Sequence, residues 1–172
     1  VAILGGVTAK LGNAPWTAVA HWTLHRALLV ILATAAVRAG ALGGTGVRGE
    51  SAPRGFLRTA NTVAGLAFLT VAMGGLTANF PFAAVGCTTF PFCGPNPAAP
   101  PSAVHIQIVH RTIAVLLALA FLAMGVRGHR GGPTVKRALY VVLALVLLQV
   151  GIGASMVLRH MPADLSSLHE AT

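Results

Sequence analysis

The sequence predicts an all-α, polytopic transmembrane helical bundle made of two pseudo-symmetric four-helix halves and truncated at both ends. Three observations carry this expectation. Of the 172 residues, 55% are hydrophobic and only 9% are Asp, Glu, Lys or Arg, against about 25% charged in ordinary soluble proteins. The apolar residues gather into four runs, each near the roughly 20 residues that a helix needs to cross hydrocarbon. The basic residues fall in short clusters between those runs. At a mean hydropathy of +0.78, a soluble fold would lack the charge to cover its surface, and a disordered chain would be polar. Both classes are excluded.

A net charge of +9 invites a nucleic-acid reading, but clusters between apolar runs are topology signals and not a phosphate-binding face. Two cysteines are too few for a disulfide scaffold or a four-ligand zinc site. The chain opens at Val1 inside an apolar stretch, without Met or a basic leader, so a fragment is expected and a signal peptide is not.

In chain order, residues 1–7 read as the tail of an earlier span. Full spans are expected at 16–37, 60–80, 104–126 and 138–158, and 161–172 reads as the start of a later one. The corresponding division is 1–37 as the end of an N-terminal four-helix half, 38–58 as a basic cytoplasmic linker, and 59–172 as the C-terminal half. Arg38, Arg48, Arg54 and Arg58 lie in one loop and Arg127, Arg130, Lys136 and Arg137 in another, while 81–103 has no Lys or Arg. The positive-inside rule puts the two basic loops in the cytoplasm and the Cys/Pro-rich loop outside. Trp16 and Trp22 near the outer end of the first span and Tyr140 at the inner start of the fourth suit the membrane interfaces.

An internal repeat supports the two halves. LGGVTAKLGNAPWTAVAH ends at His21 and VGIGASMVLRHMPADLSSLH at His169; Gly5 precedes His21 by 16 residues and Gly153 precedes His169 by the same 16. Pro15 and Pro162 are out of step by one residue, which predicts loops differing by a paired insertion and deletion.

Of the seven histidines, His129 lies between Arg127 and Arg130 and reads as a solvated loop residue. The others, His21, His25, His105, His110, His160 and His169, fall on the outer half, where an ionisable group in a span is a functional candidate and neutral imidazole is a common haem-iron ligand. His110 and His169 stand at matching outer depth on different helices and suit a haem clamped between them; two unrelated interfacial histidines are the plainer reading. His105 is rotated about 140° from His110 at about 100° per residue, so the two cannot face one ligand. His21 is the repeat counterpart of His169, and His25 shares its helical face. Arg26 and Arg111 lie well inside apolar spans, where a guanidinium needs an anion, such as a haem propionate, or snorkels to the outer headgroups. Cys87 and Cys93 flank TTFPF in the outer loop; in the oxidising compartment of a bacterium a disulfide there is expected, stiffening a Pro-rich loop that lids a pocket.

Together, ANFPFAAVGCTTFPFCG followed by HIQIVHRTIAVLL, LGGVTAKLGNAPWTAVAH, and QVGIGASMVLRHMPADLSSLHEA resemble haem A synthase, the membrane enzyme family that oxidises haem O to haem A for cytochrome oxidase. The resemblance covers most of the chain. It implies two pseudo-twofold four-helix halves, each with a haem near the outer face of a bacterial plasma membrane. His110 and His169 would be the axial ligands of a haem b serving electron transfer, with Arg111 at that cofactor. His21 would be the second ligand of the catalytic half, where haem O is the substrate. Cys87 and Cys93 match the outer-loop cysteine pair. The implied partners are haem O and haem A, haem O synthase, the cytochrome oxidase assembly machinery and the lipid bilayer, with no nucleic acid. The family's Glu-x-x-His motif and its other cysteine pair do not occur here: Glu50 is in a basic loop and Glu170 follows His169 directly. No catalytic carboxylate is assigned, and this stretch alone is expected to be inactive. Two rivals compete: a di-haem b electron-transfer subunit, such as the anchor of a quinol-linked dehydrogenase, and a membrane transporter or structural bundle without haem.

Overall fold

The computed structural model describes residues 1–39 and 55–171. The expected linker at 38–58, with Arg48, Glu50 and Arg54, lies largely outside the described residues. Six helices follow in order: α1 (Ala2–Lys10), α2 (Pro15–Arg38), α3 (Phe56–Asn79), α4 (Pro101–Gly128), α5 (Pro133–Leu158) and α6 (Ala163–Ala171), with a 3₁₀ turn at Ala83–Val85 before α4. No β-strand occurs among the described residues. The all-helical, polytopic expectation holds.

Among the described residues four helices, α2 to α5, are long and apolar enough to cross a membrane. Their burial says what surrounds them. Only 6% of the apolar window of α2, and 11% of each of the other three, is buried within the protein. Helices apolar all round with most of that surface outward need hydrocarbon, not water, as solvent. The protein is a multi-pass membrane protein.

The helices start earlier than the apolar runs. Three begin on a proline, Pro15, Pro101 and Pro133, where the missing N–H is one of the helix's unpaired donors anyway and φ is already helical. Apolarity locates the hydrocarbon-facing stretch, whereas helix length also includes polar first turns, such as Lys136 and Arg137 in α5 and Arg58 in α3. The most extensive packing is α3 on α4, followed by α2 on α3, with α4–α5, α5–α6 and α1–α2 as further neighbours. At the α2–α3 contact, a Cβ placed on Gly75 would lie 3.8 Å from Val19 Cγ2, the close approach that small residues permit in membranes. Buried Thr8 and Thr17 tie α1 to α2: Thr8 Oγ1 donates to Leu4 O (2.8 Å) and reaches Thr17 O at 3.2 Å.

The α1–α2 and α5–α6 turns have one geometry. Gly12 and Asn13 take left-handed φ of 63° and 57°, and His160 and Met161 take 59° and 61°. Asn13 N–H donates to Thr8 O at 2.9 Å, and Met161 N–H to Met156 O at 2.7 Å, the closing bond of a left-handed helix C-terminus. Leu11 N–H to Val7 O and Gly12 N–H to Ala9 O match Arg159 N–H to Ser155 O and His160 N–H to Val157 O. All these pairs keep the offset of the glycine–histidine repeat. The expected paired insertion and deletion is therefore wrong. α2 starts at Pro15 and α6 at Ala163, in equivalent register. The proline is at the first helical residue in one copy and at the residue before it in the other, two positions that both tolerate a missing N–H.

Candidate functional site

α4 carries the cysteine loop and a histidine on adjacent faces. The loop is closed by the Cys87–Cys93 disulfide, with a Cα–Cα distance of 4.9 Å, as the sequence led us to expect. Inside it, Thr88 N–H donates to Gly94 O (2.8 Å), Asn96 N–H to Gly86 O (3.0 Å), and Thr89 Oγ1 to Phe92 O (2.7 Å); the Phe90–Pro91 peptide is cis. Gly86 allows the loop onto the first turn of α4, where an added Cβ would stand 3.0 Å from Ala103 O.

Two α4 side chains, one turn apart on the same face, hold this loop. Buried Gln107 accepts the Cys87 N–H through Oε1 at 3.1 Å. Arg111 donates from Nη1 to Thr89 O at 2.6 Å and reaches Phe92 O at 3.4 Å. The guanidinium thus meets loop carbonyls where an anion was expected. Its other nitrogen, Nη2, is buried without a partner, and that is the half left for an anionic group.

His110 turns away from the loop, toward α3. An added Cβ on Gly74 would lie 3.3 Å from His110 Cε1, so the imidazole edge rests on bare backbone. His169 rests in the same way on Gly153 of α5 (3.1 Å to Cε1), and His21 on Gly5 of α1 (3.0 Å). In all three rings Nδ1 is buried with no hydrogen-bond partner. The Thr70 carbonyl, one turn before Gly74, approaches the His110 ring, and the Gln149 carbonyl, one turn before Gly153, approaches His169; neither contact attains hydrogen-bond geometry at Nδ1. His169 is close enough to His110 for the two rings to interact electrostatically. Gln149 also donates from Nε2 to His169 O at 2.7 Å, fixing the last turn of α6 on α5.

His21 borders a cleft between α2 and α6. Together with Trp22, His25 and Arg26 of α2 and Ser167, Glu170 and Ala171 of α6, it lines this open space of about 350 Å³. Arg26 Nη2 donates to Glu170 O at 2.6 Å, so this guanidinium also ends on a backbone carbonyl. His25 and His105 are exposed, exposed His160 is a turn residue, and exposed His129 caps α4. Among the described residues, no three His, Cys, Asp or Glu side chains cluster as a metal cage.

Sequence reasoning missed Gln107, Gln149 and Gly74. The two glutamines carried a signal, since a polar side chain inside an apolar span needs a partner. Gly74 did not, because its distance from His110 in the chain matches neither copy of the repeat.

The chain matches the COX15-CtaA family, described as cytochrome oxidase assembly protein, over residues 2–172. The chain belongs to that family. No curated protein and no solved structure matches it. Membership in the COX15-CtaA family places the protein in cytochrome oxidase assembly and haem A synthesis.

Proposed function

We propose that this chain is the part of a haem A synthase that holds an electron-transferring haem b between His110 and His169 and contributes His21 to the haem O site. The reaction is oxidation of the haem O C8 methyl to a formyl group. The observation that carries the reading is that His110 and His169 are each seated on a glycine with a buried, unpartnered Nδ1, within a chain that matches the family along its length. The donor set fits: two imidazoles suffice for haem iron, whereas the described residues offer no three-ligand cage. Buried Nδ1 atoms beside backbone carbonyls leave Nε2 as the ligating nitrogen, with the tautomer set by its surroundings.

A bound haem b supplies one-electron chemistry. The chain's own residues do the rest. Gln149 fixes the α6 turn that bears His169, and Gln107 and Arg111 hold the disulfide loop over the α4 end next to His110, limiting water there. Arg111 Nη2 is the group placed to receive a propionate. In this reading the loop and histidines face the outside of a bacterial plasma membrane, the basic loops face the cytoplasm, and 1–37 and 59–172 belong to different halves of the enzyme.

The test is expression of the full reading frame in a host that makes haem O but not haem A, with extracted haems identified by chromatography and mass. Haem A or its hydroxylated intermediate is expected. Bound haem b with no new haem species would convert the reading to a di-haem electron-transfer subunit, and no bound haem would overturn it. His110→Ala and His169→Ala are expected to lose haem b; full retention with an unchanged spectrum refutes the ligand assignment.

A further inference from the structure

The helix glycines divide by what a side chain would meet there. Gly6, Gly65, Gly125 and Gly151 face open space, and Gly75 and Gly128 meet Val19, Leu139 and Phe56. At Gly5, Gly74 and Gly153 the nearest neighbours are atoms of a histidine ring. The nearest atom is Cε1 in each case, at 3.0, 3.3 and 3.1 Å, followed by Nδ1 at 3.6, 3.8 and 3.6 Å. The same ring edge is presented by three different helix pairs, α1–α2, α3–α4 and α5–α6. The α1–α2 and α5–α6 pairs are related by the repeat; the α3–α4 pair reaches the same contact at a different chain spacing.

We propose that Gly5, Gly74 and Gly153 are positioning residues, each a seat that fixes the plane and depth of the imidazole on the next helix and leaves Nε2 to a ligand. Glycine serves here through its missing methyl. A methyl at 3.0 to 3.3 Å is closer than ordinary van der Waals contact, so the ring must move by a few tenths of an ångström. That displacement also moves Nδ1 relative to the carbonyl one turn before the glycine. If glycine served only close helix packing, its neighbours would be apolar side chains or backbone, as at Gly75 and Gly128. The seats stand on the geometry alone; their consequence for haem rests on the function proposed above.

The experiment compares Gly74→Ala and Gly153→Ala with Gly151→Ala, whose methyl enters open space on the same helix as Gly153, in the detergent-purified protein. Two readouts are taken: the histidine Cε1–H resonances of selectively labelled haem-free protein, and the haem content, low-spin EPR signal and midpoint potential of the loaded protein. The expected result is a shift of one histidine resonance per seat variant, with roughly tenfold or greater loss of haem affinity, the range carried by groups that orient metal-bound histidines, and an altered EPR signal. Gly151→Ala is expected to match the parent in all of these. Unshifted resonances in both seat variants overturn the seats, whatever the haem does. Shifted resonances with haem retained in His110→Ala and His169→Ala keep the seats and refute the haem ligation. A seat variant that does not accumulate is replaced by Gly5→Ala, which probes the same contact at His21.

Discussion

Replacing Gln107 by Ala is expected to loosen the disulfide loop without breaking its covalent ring. Gln107 is 6% exposed and Cys87 2% exposed, and Gln107 Oε1 accepts the Cys87 N–H at 3.1 Å. Alanine removes the acceptor and leaves a buried N–H, which costs about 1–3 kcal/mol. That raises the population of the open loop roughly 5- to 150-fold. The amides to follow are Thr88 and Asn96, which keep their own acceptors, Gly94 O and Gly86 O, and so report opening of the loop, not loss of the altered bond. Hydrogen–deuterium exchange at these two sites is expected to accelerate by that factor. Arg111→Ala removes two bonds but to exposed carbonyls, which water can rebind, so its effect is expected to be smaller. Unchanged exchange in Gln107→Ala, or a larger effect from Arg111→Ala, would refute the assignment of Gln107 as the main anchor.

Three further outcomes are expected. Replacing both Cys87 and Cys93 by Ser opens a ring of sequence separation 6 and destabilises the loop by about 2 kcal/mol on the chain-entropy estimate, read by the same exchange measurement. Gly12→Ala forces a side chain into the left-handed region at φ 63° and is expected to cost about 1 kcal/mol, whereas His160→Gly, at the equivalent turn position, is expected to be tolerated; thermal denaturation in detergent distinguishes them. Thr8→Val, which keeps the size but removes the donor to Leu4 O and Thr17 O, is expected to lower stability by about 1 kcal/mol, with local exchange rising at the α1–α2 turn.

Much of the candidate site was legible in particular residues. His21 and His169 were linked by their glycine spacing, and the structure places both rings on those same glycines. The cysteine pair was legible because it flanks a short loop. The destinations of Arg26 and Arg111 were not. A guanidinium in an apolar run announces only that it needs acceptors, and here the acceptors are carbonyls of Glu170, Thr89 and Phe92, groups that every residue carries. The one-residue displacement of Pro15 against Pro162 was misread as a length change for a related reason. Proline marks the start of a helix but not which of two adjacent positions it occupies.

The sequence by itself determined the class of solvent, the number of described spans and the repeat, because a bilayer imposes one length and one polarity on any helix that crosses it, and both are properties of the chain read in order. Tertiary structure alone decided which surfaces meet. That His110 rests on Gly74, that His169 rests on Gly153, and that Gln107 and Arg111 grip the loop all depend on how neighbouring elements lean on one another. Those contacts join residues far apart in the chain through short-range packing, and no periodicity in the sequence records them.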